Sequence, residues 1–404
     1  MTEWGPAGYG PIMLVPKSSY FSNMPPTVWS GGGRKRGLRI LPETGGYFVH
    51  VTSRTVNRAF LFGPEEKSAL VELVRRWAAF SGLSVITHCM MDNHFHLMLW
   101  VPDREMGREG LTHREIVRRL ETVWSKEKVA KWEAFYQANG EKTKGEMDGM
   151  MAGRMYDLPE FMRVLKHGFT LWFNRRHDRT GPLWEGRYRS VVLEGNPLAL
   201  MSVAAYIDLN PVRAGMCGDP MDYHWNGYGE ACGGGTLARE GLEALVRLSR
   251  GHQPHGADNV RKRQLNREMH WTGIGAALEK ERAQRAAPKS WKEVQAAYRL
   301  WVVAKGMTRK QDSRTTERIR QRKGFDPVEV IAEYERRGEV PMARMLQSRL
   351  RYFTRGVAIG GSAWLEGVMS EYRSCFGDNR KKAGKRMQGG CWAGLQVLRQ
   401  SNGK

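Results

Sequence analysis

His94 and His96 stand one residue apart in the stretch Met90 to Val101, which reads as a short buried strand. Side chains alternate along a strand, so both imidazoles face one way and Phe95 the other. At about 7 Å apart along the chain, the two rings can share one metal ion. Taken alone, such a pair is more often two partly buried structural histidines. Much further along, Tyr206 lies in a helical stretch with Asn210 four residues on, so the two share a helix face. A tyrosine hydroxyl can attack phosphorus and hold it covalently, splitting one hard step into two. An ordinary phenol titrates near pH ~10, so a metal or a positive field must help it ionise. The Asn210 amide oxygen could be a third metal ligand. Standing before Pro211, Asn210 could equally cap the next turn, and Tyr206 alone would pass for a half-buried helix residue. Between these two sites, Arg175, Arg176, Arg179, Arg187 and Arg189 cluster beside Trp172, Trp184 and Tyr188. Cations beside aromatic rings suit single-stranded nucleic acid, phosphates meeting the charges and unpaired bases the rings. Trp172 and Trp184 are as readily core residues.

The elements that must position these groups follow from periodicity. Tyr47 to Thr55 alternates and is β-rich, as a strand requires. Pro64-Glu-Glu-Lys67 opens an amphipathic helix with Leu70, Val71, Leu73, Val74 and Trp77 at helical spacing, ending near Gly82. Leu83 to Cys89 and His94 to Val101 read as the next two strands, with Asp92-Asn93 as the turn. Strand, helix, strand, strand implies an α+β layer, helices against an antiparallel sheet. Asp157 and Glu160 form a capping pattern for a helix over about 158–177. A fourth strand is predicted from Tyr188 to Leu193, and a helix from Pro197 to Leu209 carries Tyr206.

The 404 residues allow two or three domains. Residues 1–40, rich in Gly, Pro and Ser and ending in a basic patch, read as a disordered tail. A core is expected over 41–235, with a helical insertion at about 103–155 whose stretch Gly140 to Gly153 looks flexible. Residues 255–404 read as a separate, basic, mostly helical module. Within that module, the run through Phe353, Val357-Ala-Ile-Gly-Gly361 and Ser362-Ala-Trp-Leu-Glu366 has the shape of helix, glycine turn and helix, as in a helix-turn-helix. The formal charge of +22 favours a polyanionic partner, nucleic acid before membrane, since no basic amphipathic anchor stands out. No apolar run reaches the ~18 residues of a membrane span. The five cysteines are scattered and none forms C-x-x-C, so neither a disulfide framework nor a structural zinc site is suggested, and a reducing cytoplasm fits.

Three motifs stand in order: Met91-Asp-Asn-His-Phe-His-Leu97, Phe173-Asn-Arg-Arg-His177 with Gly181-Pro-Leu-Trp-Glu-Gly-Arg-Tyr-Arg-Ser190, and Tyr206-Ile-Asp-Leu-Asn-Pro-Val-Arg-Ala-Gly215. Together they resemble the REP-associated tyrosine transposases, single-tyrosine relatives of bacterial insertion-sequence transposases within the HUH nuclease group. The resemblance covers about 45–230, and the C-terminal Arg351-Tyr-Phe-Thr354 and Phe376-Gly377 segments also resemble tails of some members; the long insertion at about 103–155 and the large C-terminal module depart from a minimal single-tyrosine transposase. It implies a ferredoxin-like antiparallel sheet with both histidines on its central strand. It also implies Mg²⁺ or Mn²⁺ on His94 and His96, completed by Asn210, and a 5′-phosphotyrosine on Tyr206. The implied partner is single-stranded DNA with a hairpin, handled by a monomer or a homodimer in the bacterial cytoplasm, at the nucleoid. Two other readings use the same residues: a non-catalytic nucleic-acid-binding regulator, and a metal-dependent hydrolase with water as nucleophile.

Overall fold

A computed structural model describes residues 40–42, 44–249, 288, 290–306, 352–376, 380, 382–387 and 394–399. The N-terminal tail and most of 250–351 lie outside the described residues. The chain opens with strand β1 (Tyr47–Arg54), helix α1 (Pro64–Ser81), β2 (Ser84–Met91) and β3 (His94–Val101). Helices α2 (Arg104–Arg108), α3 (His113–Leu120), α4 (Lys126–Gln137) and α5 (Glu141–Ala152) form the insertion, followed by α6 (Leu158–Arg176) and β4 (Arg189–Leu193). Next come α7 (Pro197–Asp208), α8 (Asn210–Ala214), α9 (Gly227–Cys232) and α10 (Thr236–Ser249). The later described elements are α11 (Trp291–Gly306), α12 (Tyr352–Arg355), β5 (Gly356–Gly360), α13 (Ser362–Glu371), β6 (Lys385–Arg386) and β7 (Gln396–Arg399). This is a mixed α+β architecture around one seven-stranded sheet, in the order β2-β3-β1-β4-β5-β7-β6.

Local sequence explains the elements that matter most. Pro64 opens α1, where its missing N–H costs nothing, and the Glu66 carboxylate accepts the Gly63 N–H at 2.8 Å. Gly82 ends α1 at φ 69°, a left-handed conformation that glycine adopts without steric penalty. Asp157 caps α6 by accepting the Glu160 N–H at 2.7 Å, and Asn196 caps α7 through the Ala199 N–H at 2.8 Å. Such caps each contribute about 1 kcal/mol.

The sheet divides two cores. Val49, Val51, Phe95, Leu97 and Leu99 pack with α1 and α6 on one face. Phe48, Met98, Trp100, Val191 and Leu193 pack on the other face with α7, α10 and α11. In the register, Thr52 lies between His96 on β3 and Arg189 on β4, and Arg54 lies opposite His94. Directly opposed residues share a face, so both histidines, Arg54 and Arg189 lie on the α7 side.

Two expectations are corrected here. The stretch Gly140 to Gly153 is helical rather than loose: Met147 and Met151, four apart, are buried with Ile116, Leu120 and Trp132. Gly145 and Gly149 face open space, so they do not interrupt that packing. The second concerns the C-terminal stretch, read from sequence as mostly helical and separate. Its Val357-Ala-Ile segment is strand β5, which pairs parallel to β4 and antiparallel to β7, so there is no helix-turn-helix at Gly356–Gly360. The Glu194 carboxylate, at the end of β4, accepts the Gly361 N–H at 2.7 Å and staples the two halves of the chain. Buried Asp208 accepts from Thr87 on β2 and from Tyr298 on α11, fastening that helix to the same core.

Candidate active site

β3 delivers both histidines to the α7 face, as the alternation predicts. Their ring centroids lie 5.0 Å apart, nearly perpendicular. Tyr206 reaches them from α7, its ring 5.7 Å from His96 and edge-on to it. The tyrosine is only 7% exposed. Phe353, from α12, packs on it at 4.8 Å, and the Arg213 guanidinium sits 5.3 Å over its ring.

A third histidine completes the cluster. His50, on β1, is paired with Met98 and so lies diagonal to His96 across the strand pair. Its Nε2 is 2.8 Å from His96 Nδ1, and its Nδ1 is 2.8 Å from the Phe353 carbonyl oxygen. The two rings are within 16° of parallel with centroids 5.1 Å apart, a separation that, with nitrogens in contact, only an edge-to-edge meeting gives.

All three histidines are held neutral. Burial pushes His50 down to about 4, against a small upward pull from the Phe353 carbonyl. Burial, aided by Arg54 and opposed by Asp92, pushes His94 to about 4. His96 is held well below its ordinary value, by burial first and then by His94, His50 and Arg54.

Neutrality fixes where the protons are. A carbonyl oxygen only accepts, so His50 Nδ1 carries the proton and Nε2 is bare. His96 Nδ1 must therefore donate to His50, which leaves the His96 Nε2 lone pair free. His94 is set locally instead. The Asn93 Nδ2 donates to the Arg58 carbonyl at 2.9 Å, which turns its Oδ1 toward His94 Nδ1 at 2.6 Å. His94 Nδ1 donates to it, and His94 Nε2 is bare as well. Asn57 and Arg58 hold φ of 54° and 58° to present that carbonyl, a left-handed backbone that costs about 1–2 kcal/mol per non-glycine residue. Two neutral imidazoles, each with one nitrogen hydrogen-bonded and the other bare, is the donor arrangement a divalent metal needs. Among the described residues, no group of three or more His, Cys, Asp or Glu side chains is placed to hold a metal. Any site here therefore rests on two imidazoles, with the remaining ligands from amide, water or substrate oxygens.

The other predicted residues fall as follows. Asn210 is not an N-cap: its Nδ2 donates back to the carbonyls of Tyr206 and Ile207 at 3.0 and 3.1 Å, joining α7 to α8. The amide oxygen is the atom left for a ligand. Arg189 lies on the histidine face and is exposed, as is Arg187. Arg175 and Arg176 end α6 on the opposite side of the sheet, both exposed, with Arg176 paired to Glu65. The Arg179 guanidinium rests 5.6 Å from the Phe173 ring. The loop carrying Trp184 is tied to the same end of the sheet as His94, through Val56 N–H to Leu183 O at 2.9 Å and Glu185 N–H to Arg54 O at 2.8 Å. The rings of Trp184 and Tyr188 pack inward. The Trp184 indole donates to Lys166 O and Thr170 Oγ1 and packs against Phe62, Phe95 and Phe169. Tyr188 is buried in that same core, because it points to the α1–α6 face while Arg189 points to the other.

Sequence reasoning missed His50, Arg54, Arg213 and Phe353. His50 and Arg54 were findable, since they share parity on the predicted first strand. Nothing local marks Phe353.

No family model matches this sequence, and no curated protein matches it. Among solved structures it is similar to one described as a REP-associated tyrosine transposase bound to a REP hairpin, at 12% identity and a TM-score of 0.31, over 51% of this chain and 87% of that one. No helix among the described residues is long and apolar enough to cross a membrane.

Proposed function

We propose that the chain is a metal-dependent single-strand DNA endonuclease and strand transferase that works through a covalent 5′-phosphotyrosine on Tyr206, as transposases of the HUH group do. The observation that carries this reading is the meeting of Tyr206 with buried His96 and half-buried His94, 5.7 Å from ring to ring at His96, the hydrogen bonds at both Nδ1 atoms leaving Nε2 for a metal. The strand order β4-β1-β3-β2, with α1 and α6 on one face, supports a ferredoxin-like β-α-β-β-α-β unit.

His94 and His96 would hold Mg²⁺ or Mn²⁺, with the Asn210 oxygen available as a further ligand. The bound ion supplies Lewis-acid polarisation of the scissile phosphate. Tyr206 Oη forms the new bond to phosphorus, the 3′-oxygen of the cut strand leaves as a hydroxyl, and the reverse reaction rejoins the strands. The Arg213 guanidinium, 5.3 Å over the Tyr206 ring, places positive charge beside the nucleophile. Arg54 and Arg189 extend positive charge across the histidine face, suited to the phosphates on either side of the cut. The partner is single-stranded DNA with a hairpin, and the net charge of +22 supports a polyanion of this kind.

The second reading, a non-catalytic nucleic-acid-binding protein, is favoured by the burial of Tyr206 beneath Phe353. One experiment separates the two. The protein is incubated with Mn²⁺ and hairpin oligonucleotides from the repeats flanking its gene, then run on a denaturing gel with mass spectrometry of any adduct. An adduct at Tyr206 that Tyr206→Phe and excess chelator both abolish supports the enzyme. Tight binding with no adduct transfers the conclusion to the binding protein, and cleavage without an adduct to a water nucleophile.

A further inference from the structure

We propose that His50 is a positioning residue that fixes the tautomer of His96, and that it is itself fixed by the backbone carbonyl of Phe353, 303 positions away in the chain. This deepens the metal reading above and rests on it.

His50 and His96 are 1% and 2% exposed, so bulk water does not reach their ring nitrogens and the protein's own groups meet them. The Phe353 oxygen accepts from His50 Nδ1, and His50 Nε2 accepts from His96 Nδ1. Each neutral ring carries one proton, so the carbonyl orients the His50–His96 row and leaves His96 Nε2 as the one nitrogen of that row able to bind a metal. Without an acceptor at position 50, His96 can move its proton to Nε2, and a ring in that tautomer is no metal ligand through Nε2. The two candidate ligands are thus prepared from different places: His94 by Asn93 and the Arg58 carbonyl beside it, His96 by the C-terminal half of the chain.

Two substitutions separate positioning from packing. His50→Gln keeps an oxygen able to accept from His96 Nδ1. His50→Phe fills the space with no acceptor. In ¹⁵N-histidine-labelled full-length protein without metal, long-range ¹H–¹⁵N spectra of wild type should show His96 protonated at Nδ1. His50→Gln should keep that pattern, and His50→Phe should move His96 wholly or partly to the Nε2-protonated form. Mn²⁺ affinity, read by titration calorimetry, should fall about 10–100-fold in His50→Phe, as for other outer hydrogen-bond partners of metal ligands, and by much less in His50→Gln. Nδ1-protonated His96 in His50→Phe with unaltered Mn²⁺ affinity overturns the proposal. So does a wild-type His96 protonated at Nε2, a result that needs no variant to fold. If wild type shows the expected tautomer but Mn²⁺ binding that His96→Ala leaves intact, the metal reading fails while the hydrogen-bonded row stands.

Discussion

Lowering the pH from 7 to 5 in the presence of a chelator should destabilise the fold, and the buried histidines set by how much. Burial holds His50 and His94 near 4 in the folded protein, and it holds His88, on β2 and 5% exposed, near 3 with help from Arg75, against an ordinary 6.5. Below pH 6.5 the unfolded chain therefore binds protons that the folded chain refuses, so stability falls as pH falls until the folded values are reached. At pH 5 each of these three groups costs about 2 kcal/mol by linkage, roughly 6 together, and His96, held well below its ordinary value by burial, adds to that cost. Asp208 acts in the opposite sense. Burial raises it from 3.8 to about 7, so the folded state takes up its proton first and regains about 2 kcal/mol over the same interval. Glu194 and Glu230, also raised by burial, add to that offset. The net loss is a few kcal/mol, a large share of a domain's ~5–15 kcal/mol. Urea unfolding followed by tryptophan fluorescence at pH 7, 6 and 5 would measure it, and His88→Gln should remove about 2 kcal/mol of the histidine contribution. Stability that is flat or rising toward pH 5 would refute the assignment of these histidines as buried and neutral.

Other expected outcomes follow from the same contacts. Arg54→Ala and Arg189→Ala should each weaken hairpin binding similarly for all sequences and reduce the salt-dependence slope by about one; unchanged slopes would remove the histidine face from the DNA path. Trp184→Leu should cost about 2–4 kcal/mol of stability while hairpin affinity, measured well below the melting temperature, changes less than about twofold. A loss of ten-fold or more, the scale of base stacking at 1–3 kcal/mol, would return Trp184 to the DNA surface. A chain ending at position 350 should lose Mn²⁺ binding and elute as aggregate in gel filtration, since the unpaired β4 edge becomes a template for other strands. A soluble monomer that binds Mn²⁺ would show the C-terminal strands to be dispensable.

The parts of the fold legible in the sequence were those with local rules. The turn at Asp92-Asn93, the cap at Asp157 and the stop at Gly82 each depend on a few neighbouring residues, and the structure places β3, α6 and α1 within a residue or two of the prediction. Alternation put His94 and His96 on one face for the same reason. What failed depended on partners far away. Val357-Ala-Ile is too short to distinguish strand from turn, and only β4 and β7 on either side make it a strand. Trp184 and Tyr188 sit among arginines in sequence, yet their direction is set by which face of the sheet each strand position meets. His50 had the right parity but no visible partner, because its acceptor is a backbone oxygen that no side-chain motif records.

That long-range hydrogen bond also bears on how the protein is made. His94, His96 and Tyr206 leave the ribosome well before Phe353, whose carbonyl completes the row through His50. At about 5–20 residues per second, translation takes on the order of ten seconds or more to pass from the tyrosine to that carbonyl. A nascent chain therefore holds its nucleophile and both imidazoles without the arrangement that connects them, and a premature stop upstream of position 353 leaves that arrangement permanently incomplete. Synthesis of the last part of the chain acts as a timer on the site in the first part.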